Sequence, residues 1–312
     1  MNIAFILGGL VLLVAGGNWL LKSAIGLSLR LQIPKIVIGM TVVSFATSAP
    51  ELIVSLKSAI QGHSDLAMGN VIGSNIANIG LVLGITVLLS EIKVAKGFYT
   101  TDWPAMIAAS LLLYVFIVSD GILSSLEGAV LFGALVAFLI YMLRFQKQEV
   151  AEDTLTEDAE LPFQKSLLFL AIGGLALWGG SELLISGAVG LAEKFNVSQR
   201  IIGVSIVSVG TSIPELSASI IAVLKKEKAI GLGNLLGSNI FNVLAVLGLT
   251  SMVHPVEILD KGLIENDIYW MLGISLAILP LSVLKKRMSF GKLEGVILVS
   301  AYVYFIYSMI AI

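Results

Sequence analysis

One stretch of the chain is repeated 164 residues later without a gap. The segment GMTVVSFATSAPEL at 39–52 returns as GVSIVSVGTSIPEL at 203–216, and GNVIGSNIANIGLVLG from Gly69 returns as GNLLGSNIFNVLAVLG from Gly233. From Gly39 to Gly84, 19 of 46 positions are identical in the two copies. Such a duplication predicts a fold made of two similar halves. Polar segments repeated in an apolar chain are typical of membrane transporters.

The apolar composition predicts that these halves consist of membrane-spanning helices. Hydrophobic residues make up 57% of the chain, charged residues make up 13%, and the mean hydropathy is +0.98. Helices of about 18 to 25 apolar residues can cross a hydrocarbon core of about 30 Å. Ten such windows occur, at 3–25, 36–60, 66–90, 103–119, 123–143, 166–190, 201–224, 229–252, 267–284 and 293–312. We therefore predict an all-α integral membrane protein with about ten transmembrane helices. The chain has no cysteine, which excludes disulfides and thiolate sites.

The distribution of lysine and arginine predicts the orientation. With the N-terminus outside, about 15 of the 19 basic residues fall in inner loops and helix ends, and four fall outside: Lys57, Lys194, Arg200 and Lys261. Cytoplasmic loops carry such an excess, so both termini are expected outside a plasma or inner membrane. Since each half has five spans, an odd number, the second half enters from the opposite side. The repeats 1–145 and 166–312 are therefore predicted to be inverted five-helix repeats.

The two halves are joined by an acidic segment, 146–165, which contains six carboxylates. We interpret it as a solvated cytoplasmic linker, because it lacks EF-hand spacing and is too short to form a domain. The chain has no phosphate-binding loop or nucleotide motif, which argues against ATP-driven pumping. We expect no enzymatic activity, no cofactor, no nucleic acid and no required protein partner; the lipid bilayer is its environment.

Each copy of the first repeated segment places oxygen atoms on one helix face. Thr47 and Ser48 precede Glu51 by four and three residues, so the three side chains share a face. The second copy repeats this arrangement with Thr211, Ser212 and Glu215.

A proline comes directly before each glutamate. Pro50 and Pro214 lack the N–H group that would bond the carbonyls of Ala46 and Gly210, four residues earlier. We expect a helix break at both prolines, with backbone oxygens available to water, protein donors or an ion.

The second repeated segment adds hydroxyl and amide oxygens. Ser74 and Asn78 are four residues apart, as are Ser238 and Asn242. Together the segments offer carboxylate, hydroxyl, amide and carbonyl oxygens, with no nitrogen or sulfur ligand. Such a set suits a hard cation such as Ca²⁺. The two histidines lie at span edges and are predicted to be surface residues: His63 and His254.

For several polar residues the sequence leaves alternatives open. A buried glutamate can serve as a neutral hydrogen-bonding brace, but two at matched positions beside prolines and hydroxyls favour an ion site. Glu182, at the position equivalent to Asn18, either lines a pathway or extends to the interface or a partner. Four further asparagines either contribute to the site or cap broken helices and bond across the inverted interface: Asn70, Asn75, Asn234 and Asn239.

The sequences SFATSAPE and SVGTSIPE, each followed by GNxxGSN, resemble the α-repeats of the cation/calcium antiporters, specifically the prokaryotic sodium/calcium exchangers. The resemblance implies ion sites at mid-membrane between the second, third, seventh and eighth helices. The first and sixth helices are expected to slide across this core as the gate. By motif alignment the ligands are Glu51, Thr47, Ser48, Ser74 and Asn78, with Glu215, Thr211, Ser212, Ser238 and Asn242.

The chain departs from the family pattern at a few positions. Ala46 stands where the family commonly has glycine, and Ser44 and Ser208 stand where it often has alanine, so two further hydroxyls are candidate ligands. Some prokaryotic relatives carry aspartate at the position of Asn242. With asparagine there, two carboxylates remain in the predicted site.

Charge alone then predicts exchange. Two ionised glutamates carry a charge of about −2, which one Ca²⁺ or two Na⁺ neutralise, so the two ions compete for the same oxygens. A further Na⁺ on the hydroxyls would make the cycle electrogenic. We expect a secondary-active Na⁺/Ca²⁺ antiporter working by alternating access. One alternative replaces Na⁺ by H⁺, since a low-dielectric site favours a neutral carboxyl group; another is a passive cation channel, which would carry flux without a counter-ion.

Overall fold

The structure is a computed structural model that describes residues 2–145, 162–194, 208–284 and 288–311. Most of the predicted acidic linker, 146–161, lies outside the described residues, as does the start of the predicted seventh span, 201–207.

The first half forms five long helices and two short strands. The helices are α1 (Asn2–Leu31), α2 (Lys35–Ile60), α3 (Ser64–Leu89), α4 (Phe98–Asp120) and α5 (Ser125–Phe145). The strands are β1 (Ile92–Lys93) and β2 (Ile122–Leu123). Three helices contain a π-helical segment, at Gly39–Val43, Asn78–Leu83 and Phe98–Asp102.

The second half follows a similar order. Its helices are α6 (Phe163–Lys194), α7 (Ser208–Gly210), α8 (Ile213–Leu224), α9 (Lys228–Val253), α10 (Leu263–Val283) and α11 (Lys292–Ala311). The strands are β3 (Val256–Glu257) and β4 (Ser289–Phe290), and π-helical segments lie at Asn242–Leu247 and Leu263–Asp267.

The predicted spans agree with the helices of the described part of the chain, where nine helices are long and apolar enough to cross a membrane. The exception is the predicted continuous span 201–224. In its described portion, α7 ends at Gly210 and α8 begins at Ile213, so a turn at 211–212 interrupts the helix.

The chain divides into two compact units, each of which contains segments from both predicted repeats. The first unit contains Met1–Thr47 and Leu139–Leu235, and the second contains Ser48–Phe138 and Leu236–Ile312. The repeat boundaries 1–145 and 166–312 remain a prediction.

In the first unit, α1 and α6 pack closely through glycines spaced seven residues apart. Gly9 faces Gly180 and Gly16 faces Gly173, so the two helices run antiparallel. A Cβ atom at Gly173 would lie 2.8 Å from the backbone nitrogen of Leu20 and 3.0 Å from the carbonyl oxygen of Gly16. Small residues allow membrane helices to approach this closely. The α1–α6 contact therefore excludes even a methyl group at this position.

This close contact gives a matched pair of substitutions in one helix. We expect Gly173→Ala to destabilise the protein by about 1–3 kcal/mol, because the new methyl group meets backbone atoms that must move. Gly179→Ala places its methyl group where no atom of a neighbouring described segment lies within 4 Å. We expect it to leave stability unchanged or slightly increased, since alanine favours the helix. Thermal unfolding midpoints in detergent compare the two; equal midpoints would contradict the close contact.

In the second unit, two short ladders join strands of the two halves. Strand β1 pairs with β4, and β2 pairs with β3, both antiparallel. The membrane-spanning windows of α3 and α9 are 78% and 83% buried, whereas those of α1 and α6 are each 28% buried. The helices that carry the GNxxGSN segments are therefore mostly shielded from lipid and water.

Candidate cation-binding residues

Both repeated glutamates are buried. The side chain of Glu51 in α2 is 1% exposed, and that of Glu215 in the first turn of α8 is 0% exposed. An ionised carboxylate removed from water costs several kcal/mol unless a positive charge or hydrogen-bond donors compensate it. Each position therefore requires compensation of its carboxylate by a cation, a proton or hydrogen-bond donors.

The two prolines differ in their effect on the helix. Pro214 lies in the first turn of α8, where its missing N–H removes no intrahelical bond. Pro50 lies inside the α-helical part of α2, which continues from Ser44 to Ile60. The predicted helix break is thus present before Pro214, and the prediction of a break at Pro50 is wrong. A single missing backbone bond is too small a loss to end a helix held by tertiary packing.

The carbonyl released before Pro214 has a partner in the first unit. Ser181 Oγ in α6 donates a hydrogen bond of 2.8 Å to the Gly210 carbonyl oxygen. A buried carbonyl normally needs such a donor. This oxygen is therefore satisfied by protein in the structure.

In the first unit, Asn234 joins two candidate hydroxyls. Ser44 Oγ donates to the carbonyl oxygens of Asn234, at 2.9 Å, and Gly39, at 2.8 Å. Thr47 Oγ1 donates to Asn234 Oδ1 at 3.1 Å. Asn234 Nδ2 in turn donates to Ser219 Oγ at 3.4 Å. The hydroxyl protons of Ser44 and Thr47 are thus directed at protein oxygens.

Four asparagines form a hydrogen-bonded network inside the second unit. Asn75 Nδ2 donates to the Asn239 carbonyl oxygen, and Asn239 Nδ2 donates to the Asn75 carbonyl oxygen, both at 3.2 Å. Asn78 Nδ2 donates to Asn239 Oδ1, and Asn242 Nδ2 donates to Asn75 Oδ1, both at 3.1 Å. All four side chains are buried. Of the alternatives that the sequence left open, bonding between the repeats is observed for three asparagines: Asn75, Asn239 and Asn234. Asn70 instead bonds Ser55 in its own repeat.

Several buried oxygens have no hydrogen-bond partner in the described part of the chain. Among the predicted ligands they are Ser212 Oγ in the first unit, and Ser48 Oγ, Ser74 Oγ, Asn78 Oδ1 and Asn242 Oδ1 in the second. The hydroxyls of three residues that are not predicted ligands belong to the same group: Ser166, Thr250 and Ser275. Native proteins seldom bury polar oxygens without a partner, except where an ion or water binds. Five of the predicted ligands therefore have oxygens available to a cation.

The remaining predicted residues are distributed as follows. Ser238 is buried in α9, Thr211 is half-buried before α8, and the side chain of Ser208 lies outside the described residues. His63 and His254 are exposed, as predicted. Glu182 is exposed on α6.

Comparison with known proteins gives the same family over nearly the whole chain. The sequence model of the sodium/calcium exchanger protein family matches residues 1–144 and 165–311. The chain is 40% identical over 306 residues to the putative antiporter CaxA of Alkalimonas amylolytica, covering 96% of this chain and 95% of the relative. It is 30% identical over 347 residues to the sodium/calcium exchanger MaX1 of Methanosarcina acetivorans, covering 98% and 97%.

A solved structure supports the same assignment. The sodium/calcium exchanger of Methanococcus jannaschii superposes with a TM-score of 0.81 at 26% identity, covering 98% of this chain and 97% of that one. The predicted fold, an all-α membrane protein of ten helices in two inverted five-helix repeats, is thereby confirmed. The chain belongs to the sodium/calcium exchanger protein family, a family of multi-pass membrane transporters.

Proposed function

We propose that the protein is a secondary-active antiporter that exchanges Na⁺ for Ca²⁺ across the cell membrane. The observation that carries the proposal is the pair of buried carboxylates, Glu51 and Glu215, at matched positions of the repeat. Ionisable residues within membrane helices are costly and mark ion pathways. The family match and the exchangers among the relatives support the same activity.

Competition between the ions follows from charge. Two ionised glutamates are neutralised by one Ca²⁺ or by two Na⁺, so binding of one ion displaces the other from shared oxygens. Hydroxyl and amide oxygens complete the coordination of a hard cation without adding charge. The ligands that we propose are Glu51, Glu215, Thr47, Ser48, Thr211, Ser212, Ser74, Asn78, Ser238 and Asn242, with Ser44 and Ser208 as additional hydroxyls.

Exchange also requires that the ion-free protein does not switch its site from one side of the membrane to the other. Uncompensated carboxylates oppose burial in a low-dielectric environment. We therefore propose that the site switches between the two sides of the membrane only when the glutamates are neutralised by bound ions. One ion species must then replace the other at the site before it opens again to the first side. With both termini outside, as the basic residues favour, the acidic linker 146–165 faces the cytoplasm.

The test is uptake of radioactive calcium into proteoliposomes loaded with sodium. Matched vesicles lack the sodium gradient, and pH is equal on both sides. We expect uptake that requires internal sodium, because calcium binding must be balanced by sodium release. Uptake that is indifferent to sodium and appears only when a pH gradient is imposed in a separate set of vesicles would move the assignment to proton exchange. Uptake that needs neither gradient would indicate a channel.

A further inference from the structure

We propose that Asn75 and Asn239 are positioning residues that orient the amide groups of Asn78 and Asn242 so that their oxygens face the transported cation. The inference rests on the proposed function, since it specifies how two ligands of the same site are held. All four residues lie in the second unit.

Asn75 and Asn239 form the inner pair of the network, and the backbone fixes the orientation of their side-chain amides. A main-chain carbonyl can only accept a hydrogen bond. The carbonyl of Asn75 lies 3.2 Å from one side-chain atom of Asn239, and the carbonyl of Asn239 lies 3.2 Å from one side-chain atom of Asn75. Each of these atoms must therefore be the amide nitrogen. The same nitrogens lie 3.8 Å from Met106 Sδ and 3.7 Å from Met271 Sδ, which are also acceptors.

The inner pair then determines the orientation of the side-chain amides of the outer pair, Asn78 and Asn242. With their nitrogens committed to the carbonyls, Asn239 and Asn75 present their Oδ1 atoms to Asn78 and Asn242. Only a donor satisfies these oxygens, so each outer asparagine must present its Nδ2 atom, at 3.1 Å. The reversed amide would place two oxygens at this distance and lose the hydrogen bond.

The remaining atom of each outer amide is consequently an oxygen. Asn78 Oδ1 and Asn242 Oδ1 are buried and have no hydrogen-bond partner among the residues that the structure describes. Amide oxygens are ligands for Na⁺ and Ca²⁺, whereas an amide nitrogen would repel them. The network therefore supplies two uncharged cation ligands whose orientation does not depend on the ion.

The hydrogen bonds predict which residues act together. Asn75 orients Asn242 across the two helices, although Asn78 is its neighbour along α3. Asn239 orients Asn78 in the same way. Removing the side chain of Asn75 leaves its backbone carbonyl to hold Asn239, so the orientation of Asn78 is retained.

Double-mutant cycles test this pairing by the calcium Kd of the purified, sodium-free protein, measured by calorimetry. We expect Asn75→Ala to weaken calcium binding about fivefold to tenfold, the effect of one lost hydrogen bond. In Asn242→Ala, adding Asn75→Ala should change the Kd little, because no amide is left to orient. In Asn78→Ala, adding Asn75→Ala should multiply the two effects.

The equivalent cycle for the other repeat combines Asn239→Ala with Asn78→Ala and with Asn242→Ala. It replaces the first cycle if Asn75→Ala does not fold. Thr86→Val is the control, since it removes a buried hydroxyl in α3 whose hydrogen bond within the described chain is to the Val82 carbonyl of its own helix. Effects that multiply in every combination would overturn the positioning role, as would equal coupling of Asn75 to Asn78 and to Asn242. If the wild type binds no calcium, both this inference and the proposed function fail; multiplying effects in a calcium-binding exchanger overturn this inference alone.

Discussion

Glu51→Gln and Glu215→Gln are each expected to lower sodium-driven calcium uptake by about 100-fold or more, the cost of leaving a buried ion without its counter-charge. Either substitution leaves one carboxylate in the site, so bound Ca²⁺ gives the site a net positive charge. The positive charge that remains is as costly to bury as the negative charge of an empty site. Uptake by proteoliposomes with a fixed sodium gradient measures the effect.

The matched control is Glu257→Gln, which makes the same substitution at the exposed position of strand β3. We expect it to transport calcium as the wild type does. Near-normal uptake by both buried variants would show that the glutamates are neutral braces and would refute the exchange mechanism.

Asn78→Leu and Asn242→Leu are expected to have the next largest effect. Leucine keeps the branched shape and the number of heavy atoms of the asparagine side chain, although it is larger, and offers no oxygen to the cation. Because interactions with charged groups are stronger than neutral ones, we expect each variant to raise the half-saturating calcium concentration about tenfold to 100-fold. Sodium-driven uptake at increasing external calcium measures this change.

A suitable control is Ser110→Ala, which removes a buried hydroxyl bonded to the Met106 carbonyl of its own helix. Its half-saturating concentration should match that of the wild type. If Asn78→Leu and Asn242→Leu lower the maximal rate while the half-saturating concentration stays constant, the two amides are not cation ligands.

The sequence predicted the helices and the candidate residues because both depend on local patterns. Apolar windows located the nine spans of the described chain, and the duplication identified Glu51 and Glu215 as a pair. The buried oxygens of Ser48, Ser74 and Ser212 lie in the segments that the repeat identified.

Contacts between distant segments were beyond sequence reasoning. The pairing of Ser181 with the Gly210 carbonyl joins residues 29 positions apart and has no signature in spacing. The hydrogen bonds among the asparagines join residues more than 160 positions apart. The sequence offered bonding between the repeats as one alternative for Asn75 and Asn239 but did not identify their partners. The course of α2 through Pro50 depends on packing that outweighs the local preference of proline.

The most direct test of the central claim is the release of radioactive sodium from proteoliposomes when calcium is added outside. We expect release that requires external calcium, is accompanied by calcium uptake, and is absent in Glu51→Gln and Glu215→Gln. This result would show that the two ions exchange through the buried carboxylates. Sodium release without calcium, or calcium uptake without sodium release, would contradict the account.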